Sequence, residues 1–159
     1  MRAATVALSA IVMIMAAGCT ATDQGSLEIR CPGADGAIAV SSGQVSIEGV
    51  PIRVNADLTG ASSTDVGMAF VIEVQLADSP AHPAPSVDCV RIEKADQNAQ
   101  WDARPYVVHQ FFDGSTARIR ADGDHGPHWV SGDAVAVTIW LTVATHRYPL
   151  ALGRQLLHQ

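Results

Sequence analysis

Lysine, aromatic residues and catalytic motifs are all scarce in this chain of 159 residues. Lys94 is the only lysine beside nine arginines, and 16 acidic side chains set a formal net charge of −6. An acidic balance leaves no electrostatic footprint for nucleic acid or for anionic lipid surfaces, so no nucleic-acid partner is expected. Aromatics make up 5% of the residues and cysteines number three. No Cys-x-x-Cys pair occurs and no histidine adjoins a cysteine, which argues against a redox pair or a cysteine metal site. The Gly-x-Ser-x-Gly and Ser-x-x-Lys nucleophile motifs are missing, as are phosphate-cradling glycine loops. No residue is therefore assigned a catalytic role. After the first eighteen residues, no stretch long enough for a helix carries a 3.6-residue apolar period.

What is present begins at the amino terminus. Arg2 is a positive end, Ala3 to Ala17 is a nearly uninterrupted apolar run, and Ala16-Ala17-Gly18 places small residues before Cys19. Those three parts in that order make an export signal. The run is shorter than the roughly 20 apolar residues a transmembrane helix needs. Ala16-Ala17-Gly18-Cys19 resembles the lipobox of bacterial lipoproteins, with Ala at the position most often Leu. The resemblance implies cleavage after Gly18, a diacylglycerol on the Cys19 sulfur and usually a further acyl chain on the new amino terminus. The bilayer is then a partner through Cys19, since two or more acyl chains anchor a protein durably and one does so marginally. The implied location is the bacterial cell envelope. In a monoderm this is the outer face of the cytoplasmic membrane. In a diderm, Thr20 in place of Asp after the lipidated cysteine favours the outer membrane.

Three segments follow: a signal peptide over 1–18, the lipidated cysteine with a polar tether over 19–26, and one domain over 27–159. With Cys19 taken by lipid, Cys31 and Cys89 remain as an even pair in an oxidising compartment, where a structural disulfide is expected. The domain reads as strand after strand. Ile52, Val54, Ala56 and Leu58 alternate with Arg53, Asn55 and Asp57, and Phe70 to Leu76 repeats the pattern. Leu27 to Cys31, Ile38 to Val40, Val45 to Ile47, Cys89 to Lys94, Tyr106 to Phe112, Thr116 to Ala121 and Val135 to Val143 add further candidates. Arg147 to Leu152 fits an edge strand, where Pro149 is tolerated, and Gly153 to Gln159 reads as a helical turn or a frayed end. The expected fold is all-β, an immunoglobulin-like or related antiparallel β-sandwich of about eight or nine strands.

Three places stand out as candidate sites. Asp122, Asp124, His125 and His128 lie within one Gly-Pro loop, and His109 on the preceding strand adds a fifth donor. Mixed nitrogen and oxygen ligands suit zinc, copper or nickel, and Asp-x-Asp-x-Gly weakly resembles a calcium loop without its distal Glu. The competing reading is a surface turn, in which Asp and Gly supply the geometry. Pro80, His82, Pro83 and Pro85 form a semi-rigid loop that loses little entropy on binding, or that simply connects strands. Trp140 is out of phase with the apolar set of its strand. It either faces outward as part of a surface for a glycan or partner protein, or is covered by a second layer or by the tail with Leu156 and Leu157. Trp129 and Phe112 flank the acidic loop. The leading function is a lipid-anchored, non-catalytic binding or assembly module for an envelope protein or glycan, with no cofactor. A metal-binding lipoprotein and a small hydrolase or inhibitor are the alternatives.

Overall fold

A computed structural model describes residues 28–61, 67–79 and 83–159. The chain runs through strands β1 (Ile38–Ala39), β2 (Gln44–Ile47), β3 (Val50–Thr59), β4 (Ala69–Leu76) and β5 (Ser86–Lys94). A 3-10 turn at Ala95–Gln97 leads to β6 (Ala99–Ala103), β7 (Val107–Asp113), β8 (Thr116–Gly123), β9 (Ala134–Val143) and β10 (His146–Leu156). These strands form two five-stranded sheets, ordered β1-β10-β9-β5-β6 and β2-β3-β4-β8-β7. The pairing is antiparallel throughout except for β1, which lies parallel to β10. Ten strands in two sheets make an all-β sandwich, as the alternating pattern predicts.

The period-2 alternation builds both inner faces. Val90, Ile92 and Ile139 from the first sheet meet Ile52, Ile72 and Ile119 from the second, each at most 2% exposed. Full burial of such a side chain contributes about 1.5–3 kcal/mol relative to exposure, so the alternation alone specifies which face turns inward. Tight hairpin turns bracket β2. Ser42–Gly43 has φ of 50° and 71°, and Glu48–Gly49 has 51° and 83°. Two consecutive left-handed residues match the twist of the flanking strands.

Three expectations about elements are corrected. Residues 28–37 contain no strand, so the segment expected to open the sandwich is instead laid across the outer face of the first sheet. The expected Cys31–Cys89 disulfide is present, with Cα atoms 5.7 Å apart, and it fastens that segment to β5. The tail is neither helical nor frayed. A register shift at Ala151/Gly153 lets β10 continue along β9 to Leu156, where Gly153 takes φ 73° at no steric cost. Leu157 is then buried, and His158 bridges to Thr59. Pro149 sits in a strand flanked on both sides, but β1 covers only Leu150 and Ala151, so the proline faces no ladder partner on that side.

Candidate functional site

Trp140 does lie on the outer side of the first sheet, but it is 1% exposed. The Cys31–Cys89 bridge and Ala34 pack on it, and the Arg91 guanidinium carbon stands 5.3 Å from its ring centroid. Arg91 in turn holds Asp102 through Nε at 2.7 Å and Nη2 at 2.8 Å, while the Cys31 N–H donates to the same carboxylate at 2.8 Å. Burial pushes the Asp102 carboxyl upward, but the Arg91 and Cys31 hydrogen bonds outweigh it and leave it below the ordinary range. The covering layer is thus the amino-terminal segment, not the tail with Leu156 and Leu157. Trp140 is packed within the chain, covered by the bridge, Ala34 and Arg91.

The acidic loop is a clasp. The Gly126 N–H donates to Met68 O at 3.0 Å and the Met68 N–H returns to Pro127 O at 3.1 Å. A Cβ on Gly126 would come within 2.5 Å of Met68 Cγ and 2.7 Å of Trp101, and one on Gly67 would lie 1.8 Å from Gly126 O. These glycines permit the close approach that seals one end of the core. Asp122 accepts from Arg120 Nε at 3.1 Å, His125 bonds Asp124, and His128 is exposed. His109 is opposite Arg120 in the β7–β8 ladder. Among the described residues, no three His, Cys, Asp or Glu side chains converge as a metal would require.

Pro80 and His82 lie outside the described residues. Pro83 is exposed and Pro85 is buried, and the Pro85 carbonyl accepts from Gln110 Nε2 at 2.6 Å. That bond docks the described end of the loop against β7.

The outer face of the second sheet holds a feature of a different kind. Register places Gln44, Arg53, Gln75, Arg118 and Phe111 in one row across the five strands. Asn55, Glu73, Arg120 and His109 form the next row. The first row lines an open trough of about 880 Å³ together with Asn55, Glu73 and Arg120 of the second and with Asp113, within the usual range for ligand sites of roughly 300–1,000 Å³. Arg120 is tied to Asp122 at 3.1 Å and Glu73 at 3.7 Å. Neither Arg53 nor Arg118 has a carboxylate within ion-pair distance among the described residues. Phe111, 57% exposed, closes the row. No family model, curated protein or solved structure matches the chain.

In chemical terms, the trough offers the guanidinium groups of Arg53 and Arg118, without an ion-pair partner among the described residues, on strands separated by β4 and hence about 10 Å apart by sheet spacing. Guanidinium groups bind carboxylate or phosphate oxygens in a bidentate fork. Amide side chains at Gln44, Gln75 and Asn55 add donors and acceptors, and Phe111 offers a flat apolar face. Residue patterns alone pass over this surface. Its members are the polar phases of β2, β3, β4, β7 and β8, each unremarkable by itself, and only the cross-strand register brings them together. Among the described residues, no helix is long and apolar enough to cross a membrane.

Proposed function

We propose that this protein is a lipid-anchored, non-catalytic binding module of the bacterial envelope whose ligand is an acidic glycan. The observation that carries the reading is the Gln44–Arg53–Gln75–Arg118–Phe111 row, with two guanidinium groups that have no ion-pair partner among the described residues, in a trough on an acidic chain. A sugar chain with acid groups matches it in three ways. The acids meet the arginine forks, the hydroxyls meet the amides, and a ring face stacks on Phe111. The Arg2-to-Cys19 pattern supports export and lipidation at Cys19, and the Cys31–Cys89 bridge suits an oxidising compartment. Anchoring would hold the trough at the envelope surface, where such glycans occur.

The test is calorimetric titration of the protein with an oligogalacturonate and with a neutral oligosaccharide of equal length. The acidic ligand should bind saturably and release on added salt. Arg53→Gln with Arg118→Gln should abolish the difference between the two ligands. Equal binding of both ligands, or no saturable binding of the acidic one, refutes the proposal.

A further inference from the structure

The two sheets end in four edge strands, and three of them are blunted. β1 has two residues, β2 has four, and Asp102 of β6 is engaged by Arg91 and Cys31. β7 is different. It is seven residues long, VVHQFFD, with no proline or lysine and a single charge at its end. Val108, Phe111 and Phe112 are 39%, 57% and 42% exposed. Natural proteins protect such edges with short strands, proline, lysine or bulges, and β7 carries none of these.

The geometry points to a second copy of this chain as the occupant, paired antiparallel along β7 about a two-fold axis at Gln110. The argument starts from the Gly114–Ser115 turn. A two-residue hairpin loop is closed by a hydrogen-bonded pair, here Asp113–Thr116. Hydrogen-bonded pairs then recur at Phe111–Arg118, His109–Arg120 and Val107–Asp122. The N–H and C=O groups of Val108, Gln110 and Phe112 therefore point away from β8. Among the described residues nothing donates to them or accepts from them.

Antiparallel self-pairing centred on Gln110 sets Gln110 opposite Gln110 of the partner subunit and Val108 opposite the partner's Phe112, twice. All outward donors of the three residues then find acceptors, and the full length of β7 is paired. On the other face, His109 meets the partner's Phe111, which extends the His109–Phe111 stack already present within one chain at 6.3 Å. Asp113 falls diagonal to the partner's His109, within reach of a side-chain hydrogen bond, and no two like charges are opposed. A foreign strand would have to supply this apolar and polar order, whereas β7 supplies it to itself. Such a closed two-fold contact is the commonest form of association. The axis runs perpendicular to the sheet, so both troughs open on the same side of one ten-stranded sheet. A long polymer could then engage two sites with the gain that linked binding brings.

The pairing does not depend on the glycan reading, and its test uses no ligand. Sedimentation equilibrium of the full chain should show a monomer–dimer equilibrium. Hydrogen exchange should show the Val108, Gln110 and Phe112 amides protected at high concentration and released on dilution, with the Val107, His109, Phe111 and Asp113 amides held by β8 at both. Gln110→Pro removes an outward N–H and the side-chain bond to the Pro85 carbonyl, spares the β8 ladder, and should abolish the dimer. Phe112→Lys should weaken it at least about tenfold, and circular dichroism should report an unchanged fold for both variants. A wild-type chain that stays monomeric at high micromolar concentration overturns the proposal, including where β7 then captures an extended strand of a different protein. A dimer that persists in both folded variants also overturns it.

Discussion

Replacing both bridge cysteines, Cys31→Ala with Cys89→Ala, tests how the outer layer of the first sheet is held. The cysteines are 58 residues apart, and the chain-entropy model assigns a closed loop of that size about 14 cal/mol/K, or about 4 kcal/mol at 25 °C. The interior between the sheets does not use the bridge, because Cys31, Cys89 and Trp140 form a separate cluster. The variant should therefore still unfold in one cooperative step, about 4 kcal/mol less stable by urea denaturation. A second effect follows from where the bridge sits. Without it, residues 28–37 are held on the sheet mainly by the Cys31 N–H to Asp102 and by Arg91 Nη2 to the Cys31 carbonyl at 3.1 Å. Each such bond contributes on the order of 1 kcal/mol, too little to offset the entropy of ordering a strandless segment. The segment should lift, and the Trp140 indole N–H should exchange with solvent before global unfolding. A loss below about 1 kcal/mol, or a Trp140 indole as protected as in the parent, would refute the reasoning.

Two further outcomes are expected. Burial raises the Asp102 and Asp88 carboxyls, but Arg91 and Cys31 at one, and Ser86, Thr142 and Arg147 at the other, leave both below their ordinary value. A depressed folded pKa gives stability that is complete above the unfolded value near 4 and is lost as pH falls through the folded one. The urea midpoint should thus drop as pH falls below about 4, less steeply in Asp102→Asn; an identical slope in that variant would count against the assignment. Gly67→Ala should destabilise the domain by several kcal/mol, because its Cβ would lie 1.8 Å from the Gly126 carbonyl. Thermal melting of that variant within a degree of the parent would contradict the clasp.

Much of the architecture is legible in the residues themselves. Ile52 to Leu58 and Phe70 to Leu76 alternate so regularly that strand identity and inward face follow from side-chain period alone, and a structural disulfide follows from two remaining cysteines. The failures have physical causes. Trp140 has an outward phase on its strand, and phase says nothing about what a distant segment lays over that face. Gly153 reads as a stop, yet a positive-φ glycine inside a bulge extends β10. At the Asp122-to-His128 loop the backbone clasp of Gly126 with Met68 was not legible, because composition does not reveal which neighbour a glycine must approach.

The sequence by itself determined the all-β class, the two-faced strands and the paired cysteines, because these depend on local period and composition. Residues 1–19, whose pattern resembles a lipoprotein export signal, lie outside the described structure. Register, edge exposure and layering were decided by the tertiary structure. Arg53 and Arg118 are 65 positions apart in the chain and become neighbours across β4 only when three strands align. β7 becomes an open edge only because the sheet order places β8 on one side and, among the described residues, no strand on the other. Those are long-range pairings, and no local pattern encodes them.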